Sequence, residues 1–564
     1  MKKVKLFSFA LAALMLGACS SEDGIDNGGQ GTVLPGEKGY ISLAINLPTT
    51  AGTRVSYDDG TPNEYDVKNA KLLIFSGENE ADATCQGIYD LNVSAFLDSP
   101  EDQITSTAQI VQEITKPETV QNLYALVVLN NNNIVTDAMK GQTFKSLYTT
   151  AKTLTVSNLN GEGFFMTNAP LYSKAGGTSD PTGGNVTTLA TIDASKVCTT
   201  EAEALTSPAA TVYVERALSK VTLNGSTNLS DGHNTNIASY EITGWTLDNT
   251  NKSTYLVRNV APTTSWWAYQ NGTKGYRFVD GSPVESGVSL YRTHFGIDPN
   301  YNTDYNADDY NLIDKNPENL TNADGTTPVY CLENTFDVAH MIEQYTTRVA
   351  IAAKLTVTGA EETGDFYLLN KNTSLIYTKD GVLDEVKRLW MNYFDTVKST
   401  YIESGTFTEN EVAVTLGNVD KGGFANVASV VMSEPTTGVT YKDGQSLETL
   451  NAAAAAYVST INDMLTIAYY KGGVAYYTKL IQHFGDTETP WDGTVGYGSN
   501  ENNWLGRYGV LRNTWYDMTV TGLKNIGSPE VPDVTTDYDD PGDQYISVEI
   551  NILPWAVRSQ NVEL

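Results

Sequence analysis

An all-β chain with a few helices is the fold class this sequence predicts, and three observations predict it. From Tyr40 onward, short alternating or apolar runs are separated by Gly, Asn, Asp and Pro, which is how sandwich-like β domains read. Charged residues make up only 18% of the chain, and the polarity comes instead from Asn, Thr, Ser and 33 Tyr, a mixture suited to strands and long polar loops. Only two stretches carry apolar residues at helical spacing. The 564 residues correspond to about four domains at roughly 150 residues each, or to two or three all-β ones. A net charge of −31 leaves no source for the phosphate neutralisation that nucleic-acid binding requires, so nucleic acid is excluded as a partner.

Taken in chain order, Lys2, Lys3 and Lys5 precede an apolar run, Leu6 to Leu16, too short to span a bilayer and laid out as an export signal. It ends in Leu16-Gly17-Ala18-Cys19, similar to a bacterial lipobox, so residues 1–18 are expected to be a lipoprotein signal peptide and Cys19 the lipidated residue. Two or three acyl chains suffice for stable membrane anchoring. Residues 19–39, rich in Gly, Ser, Asp and Glu, read as a tether. Strands are expected at Tyr40 to Leu47, Ala70 to Phe75, Leu123 to Leu129, Thr211 to Val214 and Lys220 to Leu223. A polar break, Asn224 to Ser239, marks a domain boundary. Beyond it, strands are expected at Tyr240 to Leu247, Arg348 to Val357, Leu465 to Tyr470, Val474 to Leu480 and Trp515 to Val520. Val382, Val386, Leu389, Trp390, Tyr393, Phe394 and Val397 recur at three and four, so a helix should pack there on a sheet. A second helix is expected from Leu447 to Leu465, where Ala452 to Ala456 has strong helix propensity. Residues 528–544 read as an extended, self-repelling acidic linker. The division expected is thus a propeptide strand and loop over 40–54, an N-terminal sandwich over 55–230, a C-terminal sandwich with helices over 231–527, the linker, and a last strand within 545–564.

The search for chemistry returns little. His233, His294, His340 and His483 stand apart, in no metal-binding pattern, and neither a metal nor a cofactor is expected. The chain has no GxSxG elbow and no phosphate-binding glycine loop. The stretch Asp304 to Asp314 lacks the Gly and terminal Glu of an EF-hand and reads as a surface loop. Cys85, Cys198 and Cys331 are widely spaced and suggest no disulfide framework. An enzyme is not expected.

The two terminal strands resemble each other. The first, Tyr40-Ile-Ser-Leu-Ala-Ile-Asn-Leu47, and the last, Tyr545-Ile-Ser-Val-Glu-Ile-Asn-Ile552, both place apolar residues at every second position. Ile41, Leu43, Ile45 and Leu47 in one correspond to Ile546, Val548, Ile550 and Ile552 in the other, so the two could fill one groove. The polar loop after the first copy contains Arg54 and Val55, an accessible place for proteolysis. A cut there would free the first strand. An incoming strand would bury four apolar side chains, worth roughly 6 to 12 kcal/mol before ordering costs. Donor and acceptor lie at different places on the subunit, so such a contact propagates into a filament.

With these elements in view, the chain resembles the Bacteroidales fimbrillins, most closely shaft subunits of the Mfa-type short fimbria. The most specific part is the tail from Ile546 through Leu553, Pro554 and Trp555 to Leu564. Val214 to Val221, Glu333 to Thr335 leading on to Lys354, and Gly509 to Tyr516 support it in matching order. The resemblance implies two transthyretin-like β-sandwich domains, export as an outer-membrane lipoprotein, cleavage between Arg54 and Val55 by an arginine-specific protease, and polymerisation by donor-strand exchange. Ile41, Leu43, Ile45 and Leu47 would then be the displaced strand. Tyr545, Ile546, Val548, Ile550, Ile552, Pro554 and Trp555 would be the donor. Partners implied are further copies of this chain and accessory tip and anchor subunits, at a cell-surface fimbrium that supports adhesion. Two other readings stay open at this stage. One is a non-shaft fimbrial subunit. The other is an anchored glycan-binding lipoprotein using aromatics such as Trp266 and Trp267, for which packing is the commoner use.

Overall fold

A computed structural model describes residues 33–48, 64–97, 107–118, 121–260, 276–315, 320, 327–418, 420–484, 488–489, 503–538 and 546–554. The chain is mostly β-sheet, and its cores are arranged as sandwich-like layers. Strands β1 (Lys38–Asn46), β2 (Ala70–Gly77), β3 (Thr84–Leu91), β4 (Thr107–Thr115), β5 (Asn122–Leu129), β6 (Met166–Asn168) and β7 (Ala190–Ile192) are followed by a one-turn helix, α1 (Glu201–Ala204), and β8 (Ala210–Arg216). They form one sheet in the order β3-β2-β5-β6-β8-β1-β4, with β7 pairing β5. Leu123 to Leu129 is a continuous apolar run because β5 is enclosed on both faces. Phe75, Phe144, Leu126, Val214 and the inward residues of β1 close this first core.

The second core lies between two smaller sheets. Of β9 (Ser219–Asn224), β10 (Ile237–Asp248), β11 (Val329–Cys331) and β12 (Arg348–Val357), β10 pairs β12 in one sheet and β9 pairs β11 in the other. Trp245, Val349 and Ile351 from the first pair meet Val221, Tyr516 and Met518 from the other sheet. Strands β8 and β9 are consecutive yet serve different sheets, and the change of core falls between Leu218 and Val221, ahead of the polar Asn224 to Ser239 stretch.

A third core hangs between β12 and its next partner. It holds β13 (Phe366–Leu369), α2 (Lys379–Tyr401), β14 (Val412–Gly417), β15 (Gly423–Met432), α3 (Leu447–Met464) and β16 (Ile467–Tyr470), with sheet order β13-β16-β15-β14. The expected periodicity in α2 buries Val382, Val386, Trp390 and Phe394, each four residues on from the last. Thr378 caps α2 by accepting from Gly381 N, and Ser446 and Thr449 form a capping box on α3. Alternation along β13 and β16 sends Phe366, Leu368, Ala468 and Tyr470 to the second core and Tyr367, Leu369, Ile467 and Tyr469 to the third. The chain then returns as β17 (Val474–Leu480), which pairs β12, followed by β18 (Thr514–Leu523) and β19 (Ile546–Pro554). The remaining sheet has the order β11-β9-β18-β19.

Among the described residues no helix is long and apolar enough to cross a membrane. Cys85, Cys198 and Cys331 are free thiols.

Candidate functional site: the first strand and the last

Strand β1 runs between β8 and β4, parallel to the first and antiparallel to the second. It is the partner that joins β4 to the sheet, since β4 ends the strand order. Nine residues of β1, Lys38 to Asn46, face Thr115 to Thr107, and Leu43 to Asn46 lie beside Ala210 to Tyr213. Ile41, Leu43 and Ile45 have no exposed surface and Leu47 has 4%. Four such side chains, at roughly 1.5 to 3 kcal/mol each, hold this strand in place chiefly by apolar burial.

The opposite face of β1 is polar and only partly open. Tyr40 exchanges backbone hydrogen bonds with Cys198, and Ser42 O accepts from Ala209 N. Ser42 is fully enclosed: its Oγ accepts from Gln109 Nε2 at 2.8 Å, and the same Gln109 amide donates to Leu205 O just past α1. Ala44 is half-buried. Asn46 Oδ1 accepts from Thr107 Oγ1 at 2.7 Å. At the strand's entrance Lys38 and Tyr40 both reach Glu113, and the Lys38 ammonium is the main cause that holds the Glu113 carboxyl below its ordinary range. This ion pair lies in solvent and contributes little to holding the strand.

Strand β19 has a different setting. It lies antiparallel to β18 at the end of its sheet, with Ile550 opposite Met518 and Ile552 opposite Tyr516. Val548 and Ile550 are half-buried against the second core and Glu549 is exposed. Beneath it the hydroxyl of Tyr516, fully buried, shares a hydrogen bond with His483 Nδ1 and accepts one from Leu511 N. Burial, with His294 and Arg258 adding to it, keeps the His483 imidazole neutral well below its ordinary range.

In the described part of the acidic stretch before β19, through residue 538, Glu530 and Asp533 are paired. Lys315 meets Asp533 at 2.6 Å and Glu530 at 3.5 Å, Thr535 donates to Glu343, and Arg348 donates to Pro532 O. Buried ion pairs tie sequence-distant segments together: Lys220 with Glu64 at 2.9 Å, Arg258 with Glu215 at 2.9 Å, and Arg512 with Glu333 at 3.1 Å. Burial nevertheless holds the Glu215 carboxyl above its ordinary range, against the pull of Arg258 and Arg512.

The sequence therefore locates the two strands but leaves the surroundings of the first unread. Cys19, Arg54, Val55, Tyr545, Trp555, Trp266 and Trp267 lie outside the described residues. Of Ile546, Ile552 and Pro554 the strand placement is described. The sequence reading overlooked β4, whose Ala108, Ile110 and Ile114 alternate with polar residues and carry a period-2 signal. Ser42, Gln109 and Leu205 have no such signal, because they come together only through the sheet.

Among curated proteins none matches the chain. Of solved structures, a protein from Parabacteroides distasonis named for cell adhesion aligns over 93% of this chain and 99% of its own, at 10% identity and a TM-score of 0.37. A fimbrial assembly protein from the same organism aligns over 57% of this chain and 82% of its own, at 12% identity and a TM-score of 0.27. At these scores neither likeness establishes a shared fold. The family described as major fimbrial subunit protein type IV, fimbrillin, C-terminal, matches residues 468–561, a span that holds β17, β18 and β19. Over that C-terminal region the chain is similar to the fimbrillins.

Proposed function

We propose that this chain is the shaft subunit of a cell-surface fimbria that supports adhesion, a structural protein rather than an enzyme. It is exported as a lipoprotein acylated at Cys19, cleaved after Arg54 by an arginine-specific protease, and polymerised when the tail of one subunit replaces β1 of the next. The observation that carries this reading is the burial of β1: a strand with three wholly enclosed apolar residues sits between two others, while β19, which shares its apolar alternation, lies at a sheet edge. Removal of β1 leaves unpaired backbone on β8 and β4 and an apolar cleft, which a strand of matching alternation restores. The fimbrillin match over the tail region supports the same assignment. Residues 55–230 and 231–527 would be the two transthyretin-like domains, with tip and anchor subunits completing the fibre.

The test is to incubate the purified precursor with an arginine-specific protease, then sequence the new N-terminus and look for filaments by electron microscopy. A terminus at Val55 together with filaments is expected, and deleting residues 545–564 from a subunit that still folds should abolish the filaments but not the cleavage. Cleavage without filaments from the intact chain sinks strand exchange.

A further inference from the structure

Resting on the strand-exchange reading, we infer that the register of the incoming tail is set by its outward-facing residues, Ser547 and Asn551, which take the places of Ser42 and Asn46. The inward residues do not define it. Ile546, Val548, Ile550 and Ile552 are all branched aliphatics, so a slip of two residues still presents an apolar side chain at most core positions; only a slip of one inverts the faces. The outer face discriminates where the core does not. Ser42 is enclosed, with Gln109 bonding both its hydroxyl and Leu205 O above it. A two-residue slip places either Glu549 or Tyr545 in that fully enclosed space, a charge taken out of water or a ring without room. Only the unslipped register supplies Ser547. The same register brings Asn551 to Asn46, where Thr107 Oγ1 and the Val212 carbonyl already meet an amide. It brings Glu549 to Ala44, the half-buried position between them, where a carboxylate reaches solvent. The tail thus runs parallel to β8 and antiparallel to β4, as β1 does. In the reversed direction Asn551 falls on the Ser42 space and the ladder to β8 changes type.

Disulfide trapping reads the register directly. Tyr40 and Ser42 turn their backbone groups toward Cys198 and Ala209, so by the two-residue period Leu43 bonds toward β4 and faces Ile110 as a hydrogen-bonded pair. Such a pair has Cα atoms about 5.5 Å apart, within disulfide range, whereas positions offset by two are about 7 to 8 Å apart. In a Cys198→Ser background, Val548→Cys, which leaves Ser547, Asn551 and Gln109 in place, is combined in turn with Ile110→Cys, Ala108→Cys and Gln112→Cys, the partners of Leu43, Ile45 and Ile41, and filaments grown from cleaved protein are oxidised. Covalent oligomers from the Ile110→Cys pair at about tenfold or more over the other two are expected, given that spacing. Equal or greater cross-linking from either offset pair, or none from filaments that do form, overturns the register. If Cys198→Ser alone gives no filaments where the unaltered chain does, Cys198→Ala replaces it. Absence of filaments from the unaltered chain refutes strand exchange itself.

A second measurement avoids any folding defect in the subunit: synthetic peptides of residues 545–564 are added to cleaved protein as chain stoppers. The native peptide should halt growth, and a Ser547→Leu peptide should need about tenfold more for the same effect because it overfills the Ser42 space. Equal potency overturns the role of Ser547.

Discussion

The first and last strands share five of eight residues, over 40–47 and 545–552, and are held in opposite ways. In β1 the alternation Ile41, Leu43, Ile45 meets neighbours on both edges and an outer roof at Ser42. In β19 the alternation Val548, Ile550 meets one neighbouring strand and a half-open core. The lesson is that the alternating pattern specifies which face turns inward, and the neighbouring strands decide how much it stabilises.

The comparison breaks most plainly if core truncations cost the same in both strands. Leu43→Ala should destabilise the uncleaved monomer by about 2–5 kcal/mol, and Ile550→Ala by about 1 kcal/mol, in denaturant titrations followed by circular dichroism. A smaller effect is expected on the outer face of β1, where Ser42→Leu should cost about 1–3 kcal/mol through overpacking. A cost near zero would mean that the space over Ser42 is open.

The region under β19 should respond to pH through His483. Its folded-state affinity for a proton lies well below the ordinary value, so below about pH 6.5 the unfolded chain binds a proton that the folded one refuses. Its contribution is intact above that pH and is lost as pH falls, by about 1.4 kcal/mol per unit. His483→Gln should flatten that slope in melts compared at pH 7.5 and 5.5. The smallest effect is expected from Ala44→Glu, which places in β1 the residue the tail carries there. At a half-buried surface position it should alter the monomer's midpoint by no more than about 0.5 kcal/mol. A large loss would show that β1 and the tail are not interchangeable at that position.

The strands from Ala70 to Phe75, Leu123 to Leu129 and Arg348 to Val357 and both long helices were legible because period and local propensity agree with burial there. So was the likeness of the two termini. What lies around β1 was not, because Ser42, Gln109, Cys198 and Leu205 come together from distant parts of the chain. The same holds for the buried pairs Lys220 with Glu64 and Arg258 with Glu215, whose residues look like ordinary surface charges in sequence. The acidic stretch before the tail reads as self-repelling because Lys315 and Arg348, which pair with it or bond its backbone, lie far upstream.

The third core has a consequence of its own. Everything between Val357 and Val474 leaves from one strand and returns on its immediate neighbour, with Lys354 opposite Val474. Lengthening a loop whose ends are already fixed together costs entropy only logarithmically. The unit of α2, α3, β14 and β15 is therefore a place where a lineage is free to exchange one subdomain for another, or an engineer to graft one, while β13 and β16, whose Phe366, Leu368, Ala468 and Tyr470 line the second core, stay with the hairpin of β12 and β17.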